Sequence, residues 1–231
     1  MGTTLRERLS AIATDEDAYV LLQTEPVDLG LYNGVMGHVS RSGRNNNALL
    51  PIIEACFHAR VASPNVPPRN VPSFTPLTLA FRKDWPGLAA VVLAHGGTNG
   101  DLYELAHATF WMHNLALAQA LLAALHASAT ELLGAVVNDN DPLALDKVRA
   151  CLTLGADPTD PHVVELLNDE DDTQEESARR EDLRRLIARA NEIRQRPRAA
   201  ASARALRSAG LTRDVMRQIM EGTLPLPPTL Q

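Results

Sequence analysis

Similar loop segments recur along this 231-residue chain after similar apolar runs, and this periodicity constrains the fold more than any other feature. The segments are Val61-Ala62-Ser63-Pro64, Gly96-Gly97-Thr98, His126-Ala127-Ser128 and Gly155-Ala156-Asp157-Pro158, with a fainter instance at Thr24-Glu25-Pro26. The first residues of the four main segments lie 35, 30 and 29 positions apart. Intervals near 33 leave room for one helix, a turn and a second helix in each repeat. Such a unit cannot bury its apolar face alone, so we expect consecutive units to stack.

The composition indicates that these units are helical. Aromatic residues make up 4% of the chain, alanine and leucine dominate residues 88–209, and almost no stretch alternates polar and apolar residues at period two. Thr4 with Glu7, and Thr173 with Glu176, have the spacing of helix capping boxes. The sequence therefore predicts an all-α fold. An unrelated helical bundle rich in alanine and leucine, with chance glycine turns, is the alternative.

We expect a soluble, cytoplasmic chain. The formal net charge is −6, and two cysteines, Cys56 and Cys151, are too few for the disulfide framework of a small secreted domain. The apolar stretch from Leu115 to Val137 has the length of a membrane span, but it contains Glu131. An acidic residue near the centre of a span costs about 2.5–3.5 kcal/mol, so no membrane segment is expected.

Motifs that carry chemistry are not found in the sequence. It has no phosphate-binding glycine loop, no nucleophile elbow and no paired-cysteine motif. We expect none of the seven histidines to pair with another ligand at a spacing of four on one helix face, as a zinc site on a helix requires. The sequence therefore predicts no catalytic residues, no cofactor and no metal site.

One repeat resembles a known family closely. The segment Thr75-Pro76-Leu77-Thr78-Leu79-Ala80 is similar to the Thr-Pro-Leu-His-Leu-Ala opening of ankyrin repeats, with Thr78 in place of histidine. Gly96 follows Thr75 by 21 positions, which is the family's spacing to the glycine that ends the second helix. A second unit, from Asp141 to Pro158, has an apolar stripe followed by Gly155. The resemblance covers about residues 15–195.

The resemblance implies an ankyrin-type helical solenoid of four to five degenerate repeats within residues 1–196, including an N-terminal cap and an arginine-rich capping helix at 174–196. It also implies a non-enzymatic module that binds another protein through the concave face of the repeats. The residues expected to contact that protein are Arg69, Asn70, Trp85, Asn99, Asp101, Tyr103 and Trp111. Nucleic acid is disfavoured as a partner, because the chain is acidic overall and lacks interleaved aromatic residues.

We expect residues 197–231 to form a separate tail. Two helices are predicted in it, Ala199–Ala209 and Thr212–Glu221, and together they make a C-terminal helical hairpin. The following Leu224-Pro225-Leu226-Pro227 resembles the cullin box of the SOCS box in ankyrin-repeat and SOCS-box proteins. This resemblance implies a substrate-recognition subunit of a cullin-type ubiquitin ligase, with elongin and cullin as partners. Arg198 and Ser202, or Ala200 and Arg204 in another register, stand where the family's elongin-binding box has leucine and cysteine.

Two alternatives to the ligase interpretation remain open. The tail can be a helical hairpin whose proline-rich end folds back on the last repeat. The chain can also be a stand-alone microbial or viral ankyrin effector or inhibitor that works in the host cytoplasm, for which residues 197–231 are dispensable for target binding.

Overall fold

A computed structural model describes residues 3–42, 45–138, 141–168, 178 and 180–193. All regular secondary structure in these ranges is helical, so the all-α prediction is confirmed for them. The helices are α1 (Leu5–Ala11), α2 (Asp15–Thr24), α3 (Leu29–Arg41), α4 (Leu50–His58), α5 (Pro76–Arg82), α6 (Pro86–Ala94), α7 (Leu102–His107), α8 (Leu115–Ala124), α9 (Ala129–Asn138), α10 (Ala144–Thr153), α11 (Pro161–Leu167) and α12 (180–193). Two short 3-10 helices, Asn47–Leu49 and Phe110–His113, precede α4 and α8.

Local sequence determines where several helices begin. The predicted capping box at Thr4 is present, since Thr4 Oγ1 accepts the Glu7 amide and the Glu7 carboxylate accepts the Thr4 amide. Thr75 caps α5 in the same way by accepting the Thr78 amide at 3.2 Å, and Pro76 occupies the first turn, where a missing N–H costs nothing. The predicted capping box at Thr173 lies outside the described residues.

The helices pack as successive pairs along the chain. α3 packs on α4, α5 on α6, and α9 on α10. Neighbouring pairs meet along two rows: α5 contacts α7, α7 contacts α9 and α9 contacts α11, while α2 contacts α4, α4 contacts α6 and α6 contacts α8. The buried apolar side chains form one continuous cluster through these contacts. The helices of these two rows thus share one apolar core.

The even-numbered helices α4, α6, α8 and α10 all end in the same way. A residue in the left-handed conformation follows each helix, and the next amide donates to a carbonyl five residues earlier. The left-handed residues are Arg60 (φ 56°), Gly96 (φ 79°), His126 (φ 53°) and Gly155 (φ 97°), and the bonds are Val61 to Cys56 (3.2 Å), Gly97 to Val92 (2.9 Å), Ala127 to Leu122 (2.9 Å) and Ala156 to Cys151 (3.0 Å). This is the Schellman pattern. The recurring loops are therefore structurally equivalent, except that the first one begins at Arg60 and not at Val61.

The last described helix, α12, packs on the core that the helix pairs share. Leu183 and Ile187 of α12 are buried in the shared core, and Arg184 donates to the carbonyl oxygen of Leu167 at the end of α11. The helix predicted over 174–196 is thus helical where it is described, at 178 and 180–193, and its role as a cap stays a prediction. The predicted tail of residues 197–231, with its hairpin and the segment Leu224-Pro225-Leu226-Pro227, lies outside the described residues.

Within the described ranges, no single helix is both long enough and apolar enough to cross a bilayer. The stretch Leu115 to Val137 is divided between α8 and α9, which are bent by 100° relative to each other. Only when these two helices are taken together do they reach the length and apolarity of a span.

Candidate functional site

A cleft of about 590 Å³ crosses the surface of the odd-numbered helices. It is lined by Ser40 near the end of α3, by residues of α5 and of the segments on either side of it, and by residues of α7 and the segment that follows it. Because α5 and α7 belong to consecutive helix pairs, the cleft lies across the boundary between two repeating units. We call this the α5–α7 cleft. Its position depends on the stacking of pairs and on no single pair.

The rim of the α5–α7 cleft carries Phe74, Arg82 and Glu104. Arg82 Nε donates to Glu104 Oε1 at 2.7 Å, and the Arg82 guanidinium carbon lies 4.2 Å from the centroid of the Phe74 ring. The Arg82 side chain is 48% exposed, so the ion pair itself adds little to stability. Its effect is to hold the guanidinium over an aromatic ring by its Nε–H, one of the five N–H groups that a guanidinium carries.

The floor of the cleft is fixed by Asp84, which has a left-handed backbone (φ 48°) in the turn between α5 and α6. Its carboxylate accepts the backbone amides of Thr109 at 2.6 Å and Phe110 at 2.9 Å, and the Thr109 hydroxyl at 2.5 Å. Burial opposes the ionisation of Asp84, but these hydrogen bonds and the charge of Lys147 hold its pKa below the usual 3.8. The carboxylate is therefore ionised at neutral pH and ties the segment after α7 to the preceding pair.

Lys147 of α10 is fully buried. Its ammonium donates to the carbonyl oxygens of Ala106 at 2.5 Å and His107 at 2.9 Å, and it also contacts the Asp141 carboxylate. Ala106 and His107 are the last residues of α7, where the helix dipole favours a positive charge. The sequence analysis missed this residue. A signal was present, because Lys147 lies on the same helical face as Ala144 and Cys151 of the predicted apolar stripe.

Two of the predicted partner contacts are wrong. Trp85 is 2% exposed and Trp111 is 0% exposed, so neither side chain is available to a partner. Trp85 lies at the start of α6 and donates from Nε1 to Asn47 Oδ1 of the preceding pair at 2.6 Å. Trp111 is in the 3-10 helix before α8, and its indole nitrogen is buried without a hydrogen-bond partner. Both indoles bury their large apolar area in the core between successive pairs.

The other predicted contact residues are exposed, but most of them fasten loops. The Arg69 amide donates to Asn33 Oδ1 at 2.8 Å, and Asn70 Nδ2 donates to the Asn33 carbonyl at 3.0 Å. The Asn99 amide donates to Asn65 Oδ1 at 2.9 Å, and Asp101 caps α7 by accepting the Tyr103 amide at 2.8 Å. Tyr103 on α7 is 61% exposed, so this large side chain is open to a partner.

A cluster of potential metal ligands lies on the even-numbered helices. Glu54 and His58 are four residues apart on α4, and His95 directly follows α6. One ligand atom from each of the three side chains lies within 4.8 Å of the other two. The expectation that no histidine pairs with another ligand at this spacing is therefore wrong, because the sequence analysis did not test carboxylates against the histidines of α4.

The two cysteines are buried and unpaired with each other. Burial raises the pKa of the Cys56 thiol to about 11 and that of Cys151 to about 12. Thiols with such pKa values are neutral at physiological pH, so they are poor nucleophiles and poor metal ligands in the folded chain.

The α5–α7 cleft presents the partly buried ring of Phe74, the exposed guanidinium of Arg82 and the partly buried carboxylate of Glu104, which is next in sequence to the exposed Tyr103 of α7. Side chains of this kind suit recognition of a polypeptide with both apolar and charged groups. Comparison of the chain with protein-family models, with curated proteins and with solved structures finds no match.

Proposed function

We propose that this chain is a non-enzymatic protein-interaction module, built from stacked ankyrin-type helix pairs, that binds a partner protein on the surface of its odd-numbered helices. The observation that carries the proposal is the α5–α7 cleft, which joins two consecutive pairs and presents Phe74, Arg82 and Glu104 at its rim. Ankyrin repeats are expected to bind on this side, through their first helices and the loops before them.

The ankyrin interpretation is supported by two local matches. Thr75 caps α5 and Pro76 occupies its first turn, as the family's opening motif implies. Gly96 has φ 79° at the end of α6, which is the conformation that the family's glycine provides. The equivalent ends of α4, α8 and α10 extend the pattern to four units.

The residue types on this surface favour a protein partner over a small molecule. The binding energy of protein interfaces is concentrated in a few tyrosine, tryptophan and arginine side chains. Tyr103 and Arg82 are exposed residues of these types on adjacent odd-numbered helices. The neighbouring charges of Arg82 and Glu104 add the electrostatic complementarity that selects a partner.

Affinity purification of the full chain followed by mass spectrometry tests this function, with Arg82→Ala and Tyr103→Ala as the test variants. The matched control is Arg149→Ala on α10, because Arg149 is also exposed and also forms an ion pair at 2.7 Å, with Asp146. We expect the wild-type chain and Arg149→Ala to recover the same partner, and each test variant to recover at least tenfold less.

Thermal unfolding of every variant checks that it folds. Equal recovery by the wild type and both test variants would contradict the proposed surface. A loss with Arg149→Ala alone would move the binding site to the even-numbered helices.

The ligase interpretation of residues 197–231 stays a prediction that rests on Leu224-Pro225-Leu226-Pro227. It requires elongin or cullin among the recovered proteins. Changing Leu224 and Leu226 to alanine in the full chain should remove them while the partner of the odd-numbered helices is retained. Recovery of neither protein by the wild type would exclude this role.

A further inference from the structure

Another cleft, of about 630 Å³, lies at the ends of α4 and α6. It is lined by the end of α4, the loop that follows, and His95. This cleft lies at the ends of the even-numbered helices and shares no lining residue with the α5–α7 cleft. Glu54 lies beside it, one turn before His58.

We propose that Glu54, His58 and His95 bind one divalent transition-metal ion of the zinc class, which links two consecutive helix pairs. His58 Nε2 lies 3.8 Å from Glu54 Oε1, and His95 Nε2 lies 4.0 Å from the same oxygen. The two imidazole rings are edge to face, with centroids 4.6 Å apart and an interplanar angle of 84°. The carboxylate oxygen and two ring nitrogens therefore converge on one point between α4 and α6.

The spacing fits a metal ion better than direct hydrogen bonding. Both nitrogen-to-oxygen separations exceed the range of a hydrogen bond, so Glu54 is not held by either imidazole. Zinc binds nitrogen and oxygen ligands at about 2.0–2.2 Å, which places the ligand atoms of a tetrahedral site roughly 3.3 Å apart. The two nitrogen-to-oxygen separations exceed this value by about 0.5 and 0.7 Å, and the ligand nitrogens of His58 and His95 lie within 4.8 Å of each other, so side chains must rotate to close the site around an ion.

The exposure of the three side chains shows which ligands can make that adjustment. His58 and Glu54 are 71% and 50% exposed at the side chain, whereas His95 is 15% exposed. The His95 ring packs against Phe57, with the ring centroids 5.4 Å apart. His95 thus provides a fixed ligand, and the two α4 side chains are free to close around the ion.

Two histidines and one carboxylate are a ligand set that zinc and related divalent metals accept, and three protein ligands leave a fourth position open to water. The cleft gives that position access to solvent. Because α4 belongs to the pair before α6, a bound ion would join successive units across their boundary. An ion that binds only the folded chain stabilises it. The site does not depend on the proposed protein partner.

Isothermal titration calorimetry of the full, tag-free chain with zinc chloride, after dialysis against a chelator, tests the site. We expect one high-affinity zinc ion per chain in the wild type, and a dissociation constant at least tenfold weaker in His58→Ala and in His95→Ala. Glu54→Gln keeps the shape of the side chain but removes its charge, and should also weaken binding. His113→Ala is the matched control, because His113 is an exposed histidine remote in sequence from the cluster, and it should bind zinc as the wild type does.

Thermal unfolding provides the second measurement. Zinc at a hundredfold excess over its dissociation constant should raise the unfolding temperature of the wild type and of His113→Ala by about 5–10 °C, and should raise that of His95→Ala much less. The proposal is overturned if the wild type binds no zinc, or if His58→Ala and His95→Ala bind zinc as tightly as the wild type. Metal-free unfolding temperatures close to the wild-type value show that a variant is folded, and Glu54→Gln serves if a histidine variant is not.

Discussion

Two junctions join consecutive helix pairs in this chain by opposite means. At the Lys147 junction, a fully buried ammonium binds the last two carbonyls of α7 and the Asp141 carboxylate. At the Asn65 junction, a partly exposed amide in the loop after α4 binds the loop after α6: Oδ1 accepts the amides of Thr98 at 2.7 Å and Asn99 at 2.9 Å, and Nδ2 donates to the Gly96 carbonyl at 3.0 Å.

The two junctions differ in whether water can replace the hydrogen bonds that a substitution removes. Water can replace the hydrogen bonds of Asn65, so the free energy of unfolding depends only modestly on that residue. Water cannot reach the Lys147 site as it stands, so removing the ammonium leaves a carboxylate and two carbonyls without their cation. The stacking of units is therefore far more sensitive to substitution on the buried side than in the exposed loops.

The largest expected effect comes from Lys147→Met. The substitution keeps the length of the side chain and removes the charge, and it should lower the free energy of unfolding by about 3–5 kcal/mol. Urea denaturation followed by circular dichroism measures this change.

The chain contains only one other lysine, Lys83, which provides the matched control. Its ammonium donates to the Ser42 carbonyl at 2.7 Å from a half-buried position. Lys83→Met should cost about 1 kcal/mol. Equal losses in the two lysine variants would show that burial does not distinguish the sites.

Substitution of Asn65 should lower the free energy of unfolding by less than substitution of Lys147. Asn65→Ala removes two hydrogen bonds from backbone amides, a longer one from the Thr98 hydroxyl at 3.5 Å and one donated bond at a site open to water, and the expected loss is about 1–2 kcal/mol in the free energy of unfolding. Asn65→Asp keeps the accepting contacts and removes the donor to Gly96, so it should cost less than alanine in the same urea titration. A loss with Asn65→Ala as large as that of Lys147→Met would contradict the comparison.

Much of the fold could be predicted because its signals are local. The recurring loops marked the ends of α6, α8 and α10, and the opening Thr75-Pro76 marked the start of α5. The end of α4 was displaced by one residue, because Arg60 adopts the left-handed conformation without being glycine. Periodicity finds the helix pairs since each pair is a repeat of the same local chemistry.

The candidate sites were harder to predict because they depend on contacts between units. The rim residues Arg82 and Glu104 are 22 positions apart, and His58 and His95 are 37 apart, so neither set forms a motif in the sequence. Trp85 and Trp111 were assigned to the surface because their residue type dominates binding sites, yet the same large apolar area explains their burial. Only the stacking of pairs decides between the two roles.

The left-handed residues that end α6 and α8 give a smaller effect. His126 has φ 53°, so His126→Gly should relieve backbone strain and raise the free energy of unfolding by about 0.5–1 kcal/mol. Gly96→Ala should lower it by about 1 kcal/mol, and by strain alone, because an added Cβ there meets no atom within 4 Å. Thermal unfolding of both variants checks the opposite signs. The same sign in both would contradict the shared Schellman geometry.

The buried thiols report on each junction separately. Burial raises their pKa values from 9.0 to about 11 for Cys56 and about 12 for Cys151, so the stability that the neutral thiols contribute is complete below pH 9 and is lost as pH rises through 11 to 12. At pH 8, iodoacetamide should modify neither thiol in the wild type. Lys147→Met should expose Cys151 first, and Asn65→Ala should expose Cys56 first. Simultaneous modification of both thiols would show that the units open together.

The central claim is that consecutive helix pairs are equivalent units, and amide hydrogen exchange measured by NMR on the full chain tests it most directly. The amides of Val61, Gly97, Ala127 and Ala156 follow the ends of helices, yet each donates to a carbonyl five residues earlier. The account predicts that all four exchange far more slowly than the unbonded amides of exposed loops. Exchange of any of the four at the rate of an unstructured peptide would contradict the equivalence of the units.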